Sequence, residues 1–494
     1  MNKNYIYPAT LLCDFYKVSH REQYPENTEM IFSTWTPRMT RIKGVDKVVA
    51  FGFQAFIKEY LIKYFNENFF SRTTEEVIDE YKRVIKYTLG KDNPDASHIE
   101  ALHKLGYLPF KIRAVKEGTR VPIRVPMFTI ENTIPEFFWL TNYIETLMSC
   151  ILWQPTTSAT IAYEYRQLLN MYAEKTGGDL GGVQFQGHDF SMRGMSALDA
   201  AKASGAGHLL SFSGTDTIPA ILYLEEFYNA NIEKELVGTS IPATEHSVMC
   251  AYGQNELESY RRIITEVYPS GFASIVSDTW DLWGVLNNVI KTLKPEILAR
   301  DGRIVIRPDS GDPVKIICGD SESADENEQK GVIEILWDIF GGTITDKGYK
   351  QLDSHIGCIY GDAITLERCD EICKRLMDKG FASTNMVYGI GSFTYQYNTR
   401  DTFGFALKST FGVFGGKEKN LFKDPVTDKA NFKKSQTGLV CVVNENGNIK
   451  YIDGLGRAER EKLKDVDILE DIFVDGKLIR DETLAEIRNK LMSN

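Results

Sequence analysis

RIVIRPDSGD (303–312) is a short apolar run that ends in an arginine, two aspartates and a Ser-Gly turn. A run of this kind suits a strand buried on both faces, as in a parallel sheet. Six further stretches share its form: VQFQGHD (183–189), HLLSFSGTD (208–216), TSIPATEH (239–246), ASIVSD (273–278), HIGCIYGD (355–362) and NMVYGIGS (385–392). Most are followed by a helical pattern. Polar markers at their ends are Asp189, Asp216, His246, Asp278, Asp309 and Asp362, spaced 27, 30, 32, 31 and 53 residues apart. The last gap is stretched by an acidic insert, CGDSESADENEQKG (318–331). A period near 30 is the size of one βα unit. Seven successive runs favour a closed or nearly closed barrel, whose reactive side chains collect at the C-terminal ends of the strands.

Outward from this region the rhythm changes. FGFQAFIKEYLIKYF (51–65) and the stretch to about 90 carry apolar residues at helical spacing. Residues 110–131 alternate β-formers and predict a small sheet, and 136–175 predict long helices. LVCVVNENGNIKYIDGL (439–455) reads as a hairpin turning at Glu445-Asn446-Gly447, and IFVDGKLI (472–479) as one turning at Asp475-Gly476. The expected division is an N-terminal segment (1–34), a smaller α+β domain in two parts (35–145 and 401–494), and a (β/α) barrel (146–400).

The chain has 494 residues, 43% hydrophobic and 25% charged, with a net charge of −11. This is a globular composition and a poor one for nucleic-acid binding, where phosphate neutralisation dominates. A basic pocket for a small anion remains compatible with it. The eight cysteines include no CxxC pair, and the N-terminal stretch shows no signal-peptide pattern, so reduced thiols and a cytoplasmic location are expected. No run of about 18 apolar residues predicts a membrane span.

P-loop, HExxH and GxSxG motifs are absent. The strand ends instead offer carboxylates (Asp216, Asp278, Asp309, Asp362), guanidiniums (Arg193, Arg307), two histidines (His188, His246) and the glycine-containing YGIGSFTYQYNTRD (388–401). Guanidinium forks match phosphate oxygens, and successive amides of a Gly-x-Gly-Ser turn cradle anions. Carboxylates beside them suit sugar hydroxyls, Mg²⁺ or a developing positive charge. Together they point to a sugar phosphate, with a pyrophosphate. His246 follows Glu245 and suits a base or nucleophile.

DFYKVSHREQYP (14–25), GHDFSMRGMSA (187–197), FSGTDTIPA (212–220), IPATEHS (241–247), SIVSDTWD (274–281), IRPDSGDP (306–313), YGDAI (360–364), YGIGS (388–392), TRD (399–401) and LFKDPVTD (421–428) run in the order seen in the nicotinamide phosphoribosyltransferase family, and the chain resembles that family over nearly its whole length. The resemblance implies an α/β fold: an irregular type II phosphoribosyltransferase barrel with a second, discontinuous α+β domain. It further implies a homodimer with sites at the subunit interface, phosphoribosyl pyrophosphate as substrate, Mg²⁺ carried with the pyrophosphate rather than by an assigned protein ligand, and ATP coupled through a phosphohistidine.

By position, Phe190 and a partner's Tyr16 would sandwich the pyridine ring. Asp216 would accept from the carboxamide NH₂, and Ser274 and Arg307 would hold its oxygen. Asp309, Gly361 and Asp362 would surround the ribose, with Asp309 also facing the reacting carbon. Gly391, Ser392, Arg400 and Lys408 would hold the 5′-phosphate. Arg193, with a partner's Arg38 and Lys423, would meet the pyrophosphate or ATP. His246 would be phosphorylated, with Asp278 and Glu245 orienting its ring. Ser191 departs from the family's usual glycine. Competing expectations are a nicotinate-specific transferase, a non-catalytic barrel that binds NAD precursors, and a metal-dependent aldolase or sugar-phosphate isomerase, for which no Schiff-base lysine stands out at a strand end.

Overall fold

The computed structural model describes residues 7–361, 363–423, 427 and 435–493. Asp362 lies outside these, as do Lys429, Lys433 and Lys434. The chain forms two compact units, one of residues 1–160, 224–230 and 398–494, the other of residues 161–223 and 231–397.

The second unit is built on six parallel strands: β1 (Gly187–Asp189), β2 (Gly214–Thr215), β3 (Ala273–Val276), β4 (Ile304–Arg307), β5 (Ile356–Tyr360) and β6 (Met386–Ile390). Their order is β2-β1-β6-β5-β4-β3. The apolar runs are buried as a parallel sheet requires: Ile275, Ile304, Ile306, Met386 and Ile390 are at most 0% exposed. Residues 239–244 complete the ring. Thr215 N–H donates to the Thr239 carbonyl (2.9 Å) and Thr239 N–H to the Ser213 carbonyl (2.7 Å). Further along the same segment, Ser274 N–H donates to the Pro242 carbonyl (2.8 Å) and Thr244 N–H to the Ser274 carbonyl (3.0 Å). The segment thus binds both edge strands, β2 and β3, and the sheet has no open edge.

Three of the seven expected strands are shortened. Residues 239–246 make isolated bridges only, because Pro242 has no N–H to give to a ladder. Gly182–Phe185 is a 3-10 turn ahead of β1. Residues 208–213 are the exit of helix Leu198–His208. His208 is 0% exposed, its ring bonded to Tyr395 Oη (2.6 Å) and the Gly214 carbonyl (3.0 Å). Leu209, Leu210 and Phe212 are buried there as helix-end residues, a role that a short apolar run does not distinguish from a strand.

The first unit carries an antiparallel sheet in the order 417–420, 406–414, 28–36, 128–132, 110–114, 470–474, 477–478. Its core centres on Trp35, stacked with Phe128 at 5.8 Å and Phe405 at 5.6 Å. Strands Leu439–Glu445 and Asn448–Leu455 pair as a hairpin, with Asn446 and Gly447 at φ 54° and 87°. Two positive φ values are what a tight hairpin turn needs, and Asn-Gly supplies them cheaply. Among the described residues no helix is long and apolar enough to cross a membrane.

Candidate active site

The barrel encloses a cavity of about 900 Å³ in the second unit, lined among others by His188, Phe190, Asp216, Ser240, Ser274 and Arg307. Phe190, Asp216 and Arg307 stand at or just after the ends of β1, β2 and β4, His188 and Ser274 lie within β1 and β3, and the ring topology converges them. The Phe190 ring lies 4.7 Å from the His188 ring, and its N–H donates to the Ile390 carbonyl (3.0 Å). Gly389 makes room for it: a Cβ there would sit 2.6 Å from Phe190 Cδ2.

Asp216 Oδ1 bonds with His188 Nε2 (2.8 Å) and accepts from Ser240 Oγ (2.6 Å). Burial opposes its ionisation, but the His188 ring, the Ser240 hydroxyl and the Arg307 charge outweigh it and hold the carboxyl below its ordinary value. Arg307 Nη2 donates to the Thr244 carbonyl. Ser274 Oγ and Arg307 Nε are buried without a hydrogen-bond partner among the described residues. Buried polar atoms are rarely left so unless something else completes them.

A second group lies at the ends of β3 and β4. His246 Nε2 is 3.1 Å from Asp278 Oδ1. The other Asp278 oxygen accepts from Asp309 N–H (3.0 Å) and Ser310 Oγ (2.5 Å). Burial raises the Asp278 pKa, yet these donors and His246 bring it below the ordinary value. Of the two carboxylates expected to orient His246, Asp278 makes the contact. Glu245 instead accepts a hydrogen bond from Ser247. Gly361 faces Asp309, since a Cβ there would fall 2.3 Å from Asp309 Oδ1.

Gly391 precedes the short turn Ser392–Tyr395. Arg193 is exposed in the turn Met192–Gly194, and a Cβ on Gly194 would meet Ser392 Oγ at 1.9 Å. Gly194, the residue after Arg193, is thereby packed against Ser392. The Ser191 departure also finds its partner: Ser191 N–H (2.9 Å) and Oγ (2.6 Å) both donate to Asp189, which is 0% exposed.

The remaining expected residues lie in the first unit. Tyr16 is 56% exposed. Arg38 Nε donates to the Gly404 carbonyl (2.9 Å), and burial followed by the charge of Arg400 lowers its pKa. Lys408 stands 3.8 Å from Glu145. Lys423 is exposed, its N–H donating to Ser435 Oγ (3.1 Å). Sequence reasoning missed Ser240 and Ser310, which pair with the two key carboxylates. Ser310 sits inside the RPDSGD motif and was legible as a strand-end hydroxyl. Ser240 carried no signal beyond its place before IPATEH.

The Nicotinate phosphoribosyltransferase (NAPRTase) family model matches residues 185–470, and the Nicotinamide phosphoribosyltransferase, N-terminal domain model matches residues 9–112. The fold resembles the nicotinate-nucleotide pyrophosphorylase of Pyrococcus furiosus, with a TM-score of 0.59 at 14% identity over 100% of this chain and 98% of that one. It also resembles human nicotinic acid phosphoribosyltransferase, with 0.51 at 15% identity over 98% and 93%. Fold and family model define a type II phosphoribosyltransferase, an enzyme of the pentosyltransferase class.

The sequence relatives narrow this further. A nicotinamide phosphoribosyltransferase of Acinetobacter baylyi is 50% identical over 97% of this chain and 96% of its own. One of Xanthomonas campestris pv. campestris is 33% identical over 98% of both. The chain belongs to the nicotinamide phosphoribosyltransferase family.

Proposed function

We propose that the enzyme joins nicotinamide to the phosphoribosyl group of phosphoribosyl pyrophosphate, releasing pyrophosphate and nicotinamide mononucleotide for NAD salvage. The observation that supports nicotinamide most directly is the unpartnered pair of donors, Ser274 Oγ and Arg307 Nε, in a cavity with the Asp216 carboxylate. A carboxamide completes this set: its oxygen accepts from Ser274 and Arg307, and its NH₂ donates to Asp216. Nicotinate would bring a second carboxylate against Asp216, a like-charge contact that costs several kcal/mol.

In the reaction the pyridine nitrogen lone pair forms the bond to C1 of the ribose as the C1–O bond to pyrophosphate breaks. The nitrogen becomes a pyridinium, so no proton moves. Positive charge develops at C1, where Asp309 is assigned to stabilise it. Phe190 and Tyr16 from a second copy stack on the two ring faces. Gly361 and Asp362 are assigned to the ribose, Gly391, Ser392, Arg400 and Lys408 to the 5′-phosphate, and Arg193 with a second copy's Arg38 and Lys423 to the diphosphate. No group of three or more His, Cys, Asp or Glu side chains that could hold a metal occurs among the described residues. Mg²⁺ would enter with the diphosphate, beside the assigned Arg193, and would supply charge neutralisation for the leaving group.

ATP stimulation is assigned to His246. Asp278 engages Nε2, which places the lone pair on Nδ1 to attack the terminal phosphate of ATP, with ADP leaving. Among the described residues the ring's hydrogen bond is with Asp278, and Glu245 accepts from Ser247 instead. The reading includes a cytoplasmic homodimer.

A product assay tests the proposal, with nicotinamide and nicotinate offered separately, each with and without ATP. Nicotinamide mononucleotide from nicotinamide alone, formed faster with ATP, is the expected result. Turnover of nicotinate instead overturns the ring-pocket assignment, and no product from either favours a binding protein.

A further inference from the structure

Lys17 is only 4% exposed, an uncommon depth for an ammonium group. Its Nζ forms an ion pair with Glu145 Oε2, the two side chains being 3% and 19% exposed. The other oxygen of the same carboxylate, Oε1, is 3.8 Å from Lys408 Nζ. Lys17 Nζ also lies 5.0 Å from the centroid of the Tyr16 ring, a cation–π distance. The edge of that ring meets His20 at 4.9 Å. The two segments are tied beside the pair, where Asp14 N–H donates to Thr146 Oγ1 (3.2 Å) and Thr146 Oγ1 donates to Asp14 Oδ2 (3.0 Å). All of these residues belong to the first unit.

A buried ion pair seldom stabilises a fold more than apolar residues of the same volume would. What it does well is hold charges in one geometry. Lys408 needs such holding. Burial acts first to lower its pKa, and Arg38, Lys17 and Arg400 add to this, while Glu145 is the carboxylate that opposes them. Without Glu145 the three neighbouring cations would drive the Lys408 side chain outward.

We propose that the Lys17–Glu145 pair is a positioning device for the transfer reaction: Glu145 sets the Lys408 ammonium for the phosphate of one site, and Lys17 sets the Tyr16 ring for the nicotinamide of the second copy's site, so that one buried charge pair serves both sites of the proposed dimer. This rests on the assignment of Lys408 to phosphate and Tyr16 to nicotinamide. Neither Lys17 nor Glu145 is assigned to substrate. Both act through their neighbours.

The test is steady-state kinetics on the full-length double variant Lys17→Met/Glu145→Leu, with its melting temperature measured alongside. Apolar replacement removes the buried pair together, and Lys408, its side chain 45% exposed, can turn to solvent, so a wild-type-like melting temperature is expected. KM should rise about tenfold for both phosphoribosyl pyrophosphate and nicotinamide, with kcat within about threefold, as for lost binding-site alignment. Wild-type KM values in the folded double variant overturn the proposal. If that variant does not fold, Glu145→Gln carries the decision. A KM for phosphoribosyl pyrophosphate about tenfold up supports the proposal, and one within about twofold overturns it. Lys408→Ala run in parallel separates the two levels. If it too leaves that KM unchanged, the assignment of Lys408 to phosphate has failed.

Discussion

Asp216 shows how one atom's partners determine another's task. Its Oδ1 is engaged by His188 and Ser240, which turns the carboxylate so that Oδ2 faces the carboxamide in the proposed complex. Replacing it with serine removes the charge that opposes nicotinate. We expect the nicotinamide-to-nicotinate ratio of kcat/KM to fall roughly a hundredfold in Asp216→Ser, equivalent to about 3 kcal/mol, and competition between the two substrates measures it. Ser274 makes the complementary case. Its hydroxyl is buried and unpartnered, so Ser274→Ala should leave the melting temperature unchanged or slightly higher. The same change should raise KM for nicotinamide about tenfold, through one lost hydrogen bond. At His246, replacement by alanine should preserve some product formation and abolish ATP stimulation, and equal stimulation in both proteins would remove the phosphohistidine. At this scale the sequence showed which residue types stand at the strand ends. It did not show that Ser240 and Ser310 would satisfy the two carboxylates, because a lone serine has no pattern.

At the scale of elements, the 30-residue period located every barrel strand but not its length. The strands β3 to β6 lie where the pattern placed them. The segments at 208–213 and 239–246 differ for separate reasons: one apolar run ends a helix around His208, and the other contains a proline. Glycines at the β5 and β6 ends make the close approaches the site needs. A Cβ on Gly389 would sit 2.6 Å from the Phe190 ring and 2.8 Å from the Tyr360 carbonyl. The backbone oxygen cannot yield, so Gly389→Ala should cost about 2 kcal/mol of stability and displace the Phe190 ring. Thermal unfolding together with KM for nicotinamide checks both parts, and an unchanged KM would show that Phe190 does not stack on the substrate.

For the whole molecule, pH dependence has an identifiable source in the first unit. Glu117 is 1% exposed and accepts from the Gln54 N–H (2.7 Å) and Gly52 N–H (3.1 Å). Burial, then the neighbouring Glu482 carboxylate, push its pKa up to about 7. The folded chain therefore holds a proton that the unfolded chain releases near the ordinary glutamate value. Unfolding free energy should fall as pH rises from about 5 to about 7, by on the order of 2–3 kcal/mol from this group, and flatten above that. Glu117→Gln should remove this group's share of the slope, as unfolding curves at several pH values would show. The proposed homodimer has its own test. Mixing Tyr16→Ala chains with Asp309→Ala chains should restore about one competent site per mixed dimer. No recovery would mean that Tyr16 serves its own chain.

By itself the sequence determined the family, the βα period and the chemical inventory, because these are written in short contiguous motifs whose residue types and order are readable without coordinates. The tertiary structure alone decided that residues 239–244 close the ring, that Asp278 rather than Glu245 holds His246, and that Lys17, Glu145 and Lys408 share one charge cluster. Such contacts join positions as far apart in the chain as Glu145 and Lys408. Local propensity and spacing carry no information over that distance; packing of the folded chain supplies it.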